Sequence, residues 1–110
     1  MTLIVPFVAG GAIDVVARLQ SQRLGETLGQ SVIVENIGGG GGTIGTLRVA
    51  KAAPDGYQYV VGNIGTHAYN QTLYKKPLYN AVTDFAPVVL ATGSPRLLVV
   101  RKDLPVGNLK

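Results

Sequence analysis

The sequence predicts an α/β fold in three layers: a mostly parallel sheet with helices on both faces. Three observations predict it. The strand candidates, Leu3-Ile4-Val5 among them, are almost continuously apolar, as strands buried on two sides are. They alternate with helical patterns of ten or more residues. Each of the first three strands also runs into a loop of glycines or small polar residues, and ligands of parallel sheets bind beyond the carboxyl ends of the strands.

Taken in order, the first strand runs from about Thr2 to Phe7 and ends in Pro6-Phe7-Val8-Ala9-Gly10-Gly11. Gly10 and Gly11 let the backbone turn while leaving its N–H groups uncovered. The first helix is expected from Ala12 to Leu28, with Ile13, Val16, Ala17, Leu24 and Leu28 inward and Gly29 as the glycine that stops it. Its unpaired first-turn N–H groups and positive dipole end add to the loop, so that the joint forms an anion trap without a charged side chain. Asp14 in that first turn reads as a cap. The second strand is Ser31 to Glu35, followed by a glycine-rich loop, Asn36 to Gly42. The second helix is Thr43 to Ala53, with Ile44, Leu47 and Ala50 inward. Pro54-Asp55-Gly56 is a turn. The third strand, Tyr57 to Gly62, leads into the loop Asn63 to Thr66 and a short helix, His67 to Tyr74. Lys75 to Phe85 is irregular. Further strands are expected at Val88 to Ala91 and, beyond the Ser94-Pro95 break, at Leu97 to Val100.

The chain has 110 residues, enough for one core, and 46% of them are hydrophobic, which excludes a disordered segment. Aromatic residues make up 6% and there is no Trp, so nothing offers a stacking platform for bases. The net charge of +4 is scattered, with Lys75-Lys76 and Arg101-Lys102 the only adjacent pairs, so no nucleic-acid partner is expected. A modest basic balance suits a small anionic ligand. The absence of cysteine excludes thiol catalysis and disulfides. No run has the length of a membrane span, and Met1-Thr2 leads straight into a strand without the pattern of a signal peptide. An exported protein would therefore have lost its leader.

Gly40-Gly41-Gly42-Thr43-Ile44-Gly45 matches the spacing G-x-G-x-x-G, but the acidic residue that a dinucleotide site needs at the next strand end is missing from Val60 to Gly65. A nucleotide-binding module using the Gly38–Gly45 loop stays as an alternative. A second backbone anion nest is the preferred reading. His67 is the only histidine and lacks partners for a metal site. A small hydrolase using Thr66, His67 and Ser94 is the other alternative. It lacks a nucleophile elbow and an orienting acid. Asn63 and Thr66 read better as neutral hydrogen-bond partners for a polar ligand. Asp55 suits a local turn and Asp84 a cap or brace. No catalytic residue, metal or cofactor is expected.

The run Ile4-Val5-Pro6-Phe7 through Gly10-Gly11-Ala12-Ile13-Asp14-Val15-Val16-Ala17-Arg18 resembles the opening of the Bug (TctC-like) extracytoplasmic solute receptors, the periplasmic binding proteins of tripartite tricarboxylate transporters. The likeness continues through Val34-Glu35-Asn36, Gly41-Gly42-Thr43-Ile44-Gly45, Val49-Ala50-Lys51-Ala52-Ala53-Pro54-Asp55-Gly56-Tyr57, Gly62-Asn63-Ile64-Gly65-Thr66-His67 and Asp84-Phe85-Ala86-Pro87-Val88. It departs at Ile37-Gly38, where the family usually has Arg-Pro, and at Gln71, which replaces a usual Pro. The resemblance implies one incomplete lobe of a periplasmic binding protein-like fold, with 1–103 the N-terminal lobe and 104–110 a crossover cut short. It implies a periplasmic receptor for a small organic carboxylate that works with membrane transporter subunits. By position it implies ligand contacts from Phe7, Val8, Ala9, Gly10, Gly11, Gly42, Thr43, Asn63, Thr66 and His67. Without an opposing lobe, self-association or a domain-swapped dimer that exchanges the segment after Val88 is expected.

Overall fold

In a computed structural model, which describes residues 1–93, 97, 99–103 and 105, strand β1 (Thr2–Val5) lies between β2 (Ile33–Asn36) and β3 (Gln58–Val60). Both pairings are parallel: Thr2 sits opposite Ile33 and Gln58, and Ile4 opposite Glu35 and Val60. The central position explains the unbroken apolar run, since Leu3, Ile4 and Val5 are all buried although they point alternately to the two faces. Helix α1 (Ala12–Leu28) joins β1 to β2, and α2 (Thr43–Ala50) joins β2 to β3. Two successive residues at the end of β2 locate these helices. Asn36 bonds Asp14 of α1, whereas Glu35 pairs with Arg48 of α2. Neighbouring strand residues point to opposite faces, so the two helices cover opposite faces and the expected three-layer α/β arrangement is present.

Helix α1 ends at Gly29, whose φ of +63° is the left-handed stop expected there. Its core contact is narrower than the periodicity implies. Ala17 is buried and Ile13 and Val16 are half-buried, but Leu24 and Leu28 are exposed. The cause is length: 17 residues of helix span roughly 25 Å, while the four-residue strands beneath reach roughly 13 Å. The second half of α1 overhangs the sheet.

Helix α2 stops at Ala50, short of the expected Ala53, and it is turned relative to the expectation. Leu47 and Ala50 are half-buried as expected, but Ile44 is 54% exposed, and Thr43, Gly45 and Thr46 face inward. Gly45 decides the rotation. A Cβ there would lie 2.5 Å from the Ile37 carbonyl oxygen and 3.0 Å from Pro6 Cα, so the helix backbone rests directly on the end of β1. Thr46 becomes tolerable in the core because its hydroxyl donates to the Gly42 carbonyl at 2.8 Å.

After β3 the chain makes a wide π-type turn, Gly65–Tyr69, in which the Asn70 N–H reaches the Gly65 carbonyl, and then a single turn of helix, α3 (Asn70–Leu73). Lys75 to Phe85 has no regular structure, as expected, but it is anchored. Tyr79 is buried and donates its hydroxyl to the Thr66 carbonyl at 2.6 Å, and Phe85 sets its ring edge-on to both Tyr79 and His67. The strand expected at Val88 to Ala91 is not formed: Val88, Val89 and Leu90 are 73–89% exposed. The segment pairs with none of the strands of the described residues, whose order is β2-β1-β3. Of the strand expected at Leu97 to Val100, residues 97, 99 and 100 are not in a strand, and Leu98 lies outside the described residues. Ser94-Pro95 and, apart from Pro105, the crossover 104–110 also lie outside them.

Candidate ligand site at the strand ends

The carboxyl ends of β1, β2 and β3 lead into three neighbouring loops, 6–11, 37–42 and 61–66. Packing joins them at one point. A Cβ on Gly42 would lie 2.6 Å from Thr66 Cγ2 and 3.0 Å from Phe7 Cζ, so one residue from each loop meets here. Gly42 also has a φ of +88°, the last of four successive left-handed glycines, and this accounts for the glycine run in conformational terms.

The first loop is held by side chains that the sequence did not single out as site residues. Asp14, 3% exposed, accepts from the Gly10 N–H at 2.8 Å and from Arg18 Nε at 3.0 Å through Oδ2. Its Oδ1 accepts from Asn36 Nδ2 at 2.9 Å, and that amide also donates to the Phe7 carbonyl at 3.2 Å. The Arg18 bond above all, then the Gly10 and Asn36 bonds, lower the Asp14 pKa from 3.8 to about 2. Asp14 is therefore not a simple helix cap: it binds a loop amide ahead of the helix. No protein acceptor among the described residues meets the N–H groups of Val8 and Ala9, nor those of Ala12 and Ile13 in the first helical turn, whereas the Gly11 N–H closes the turn through Ala9-Gly10 towards the Val8 carbonyl. Val8, Ala9 and Gly10 stand in solvent, and Phe7 is half-buried.

In the second loop the N–H groups of Gly42 and Thr43 are taken by the carbonyls of Gly39 and Gly40. Those of Gly39, Gly40 and Gly41 meet no acceptor among the described residues. The loop is braced from outside by Tyr74, which donates to the Gly40 carbonyl at 3.0 Å, and by buried Asn70, which donates to the Gly41 carbonyl and to Thr43 Oγ1, each at 3.2 Å.

The third loop is a reciprocal turn. The Asn63 N–H donates to Thr66 Oγ1 and the Thr66 N–H to Asn63 Oδ1, both at 3.0 Å. Thr66 is fully buried, so its side chain supports the site from below. Its hydroxyl also lies 2.8 Å from His67 Nδ1. That is a nucleophile–base distance, but with no exposed surface the hydroxyl is out of reach of a substrate. Half-burial pushes the His67 pKa down, which favours the neutral ring. Ser94, the remaining member of the hydrolase alternative, lies outside the described residues. Among the described residues no cluster of three His, Cys, Asp or Glu could hold a metal. Asp55 and Asp84 do local work, accepting from the N–H groups of Tyr57 and Asn80.

Of the residues expected at the site, the fold brings Phe7, Gly42 and Thr66 into contact, and the side chains that brace the loops, Asn36, Asn70 and Arg18, were not among those expected. Asn70 carried one readable signal, its position four residues after Thr66 on the same helical face. Asn36 carried another, as a polar residue at a strand end just before the glycines.

A family model described as the tripartite tricarboxylate transporter family receptor matches residues 16–110. A curated relative from Agrobacterium vitis, a UPF0065 protein in the TAR-I ttuE-ttuC' intergenic region, is 47% identical over 94% of this chain and 30% of its own length. Protein BugT of Bordetella pertussis is 37% identical over 97% of this chain and 33% of its own. The chain spans about a third of the length of these relatives. Among solved structures, MatC of Rhodopseudomonas palustris with bound malate superposes with a TM-score of 0.77 at 46% identity, covering 80% of this chain and 30% of that one. Rpa4515 of the same organism with adipate gives 0.78 at 44% identity, covering 81% and 30%.

Proposed function

We propose, from the premise that this chain belongs to the tripartite tricarboxylate transporter receptor family, that it forms the N-terminal lobe of a solute receptor whose strand-end loops take a carboxylate of a small organic acid. The observation that carries the reading is the set of N–H groups without a protein acceptor among the described residues, those of Val8 and Ala9 beside those of Gly39, Gly40 and Gly41, on two loops in contact through Phe7 and Gly42. Backbone donors of this kind hold an oxyanion without a full counter-charge. Two structural relatives carry malate and adipate, both small dicarboxylates. The matched family is one of receptors, and binding without catalysis is the activity expected here. A periplasmic location and membrane transporter subunits as partners follow for the protein by family. Residues 1–103 form the lobe, and 104–110 begin the crossover to a second. The lobe alone self-associates through its exposed apolar segment.

A thermal-shift panel of di- and tricarboxylates, amino acids and nucleotides tests the ligand class. A carboxylate should raise the melting temperature in proportion to the logarithm of its concentration, as linkage requires. A rise with nucleotides and none with carboxylates would reject the reading.

A further inference from the structure

We infer that Asp14, Asn36 and Arg18 are positioning residues, a clamp that fixes the backbone of the Phe7–Gly11 loop, and with it the N–H groups left for a ligand, and keeps a buried negative charge beneath them compensated. The inference rests on the carboxylate reading for its ligand, but the clamp itself can be observed without one.

The loop has little packing of its own. Val8, Ala9 and Gly10 are exposed, and a free segment of this kind would sample many backbone states, so ordering it on binding would cost affinity. Two hydrogen bonds remove that freedom. Asn36 Nδ2 holds the Phe7 carbonyl at the start of the loop, and Asp14 Oδ2 holds the Gly10 N–H near its end. The two holders are bonded to each other at 2.9 Å, so both ends of the loop are tied to one cluster that spans α1 and β2. The Gly10 N–H is taken by Asp14, and those of Val8 and Ala9 are left without a protein acceptor among the described residues.

The arrangement has an electrostatic cost that a third residue offsets. A carboxylate 3% exposed beneath an anion-binding loop would repel the ligand. Arg18 meets it with Nε at 3.0 Å and continues to Asn36 Oδ1 with Nη2 at 3.0 Å. Its side chain is 54% exposed. The other charges nearby are Glu35 and Arg48, which neutralise each other across the opposite face of the sheet. Asp14 and Arg18 together leave the patch nearly neutral. A lone Asp14 would weaken an anionic ligand, and most at low ionic strength.

The test is an amide-resolved NMR titration of the chain with malate, in wild type, Arg18→Met, Arg18→Lys and Asn36→Ala, at low and high salt, with an acid titration of each. The Gly10 amide should follow the protonation of Asp14. Arg18→Met should weaken malate by tenfold or more at low salt, with the loss shrinking as salt rises, and Arg18→Lys should recover most of it. Asn36→Ala should weaken malate equally at both salts and speed exchange of the Gly10 amide. A Gly10 amide indifferent to Asp14 protonation, or an Arg18→Met chain with wild-type affinity and salt dependence, would overturn the clamp. If malate moves no amide of the wild type while Gly10 still follows Asp14, the carboxylate reading fails and the clamp stands.

Discussion

Gly45 is the position where a single methyl group has the clearest consequence. Both groups that a Cβ would strike, the Ile37 carbonyl and Pro6 Cα, are backbone, so neither can rotate away. Gly45→Ala must lift α2 from the end of β1 and should cost about 1–3 kcal/mol in a denaturant melt. An unchanged midpoint would mean that α2 does not rest on β1 as described. Asp14 makes a prediction of a different kind. Its folded pKa of about 2 lies below the ordinary 3.8, so its stabilising contribution is complete above about pH 4 and is lost as pH falls toward 2. The wild type should lose stability across that window, and Asp14→Asn should show a flatter profile. Equal slopes for the two chains would place the acid sensitivity elsewhere.

At the scale of elements, the turn after β3 shows how a loop can be both a candidate site and a structural joint. Asn63 and Thr66 satisfy each other, and the free Thr66 carbonyl is taken by the Tyr79 hydroxyl from the irregular segment. Tyr79→Phe keeps the ring and its contact with Phe85 but removes the hydroxyl that donates to that buried carbonyl. It should cost about 1–3 kcal/mol, and thermal melts of the two chains measure it. A Tyr79→Phe chain as stable as wild type would show that water replaces the bond. The same elements show how far the sequence could be read. β1, β2 and β3 and both main helices were legible because burial on two faces and a 3.6-residue period leave marks in the local sequence. The rotation of α2 was not, because it depends on Gly45 meeting a strand end that lies 39 residues away at Pro6. Nor was the Asp14–Asn36 bond, which joins residues 22 positions apart and is specified only once α1 and β2 are packed. The apolar run at Val88 to Ala91 was misleading for the opposite reason. It carries the composition of a strand, but strand formation also needs a paired edge and a cover.

That missing cover governs the behaviour of the whole molecule. The radius of gyration is 16.6 Å, against about 13 Å for a globular domain of this length. Val88, Val89 and Leu90 stand in solvent as three consecutive apolar residues, and among the described residues β3 pairs only with β1, which leaves its outer edge without a partner there. An unpaired edge and an exposed, uncharged, apolar segment in one chain are complementary to the same pair on a second copy. Donating 88–90 of one chain to the β3 edge of another would extend the order β2-β1-β3 by one strand and bury all three side chains in part. The chain should therefore show a concentration-dependent mass above 11.5 kDa in light scattering at tens of micromolar. Val89→Lys places a charge in the segment without touching the packed sheet, and it should return the mass toward the monomer while leaving the melting temperature of a dilute sample unchanged. A mass fixed at the monomer value for wild type across that range would exclude the exchange, and association that persists in Val89→Lys would assign it to another surface, such as the exposed second half of α1.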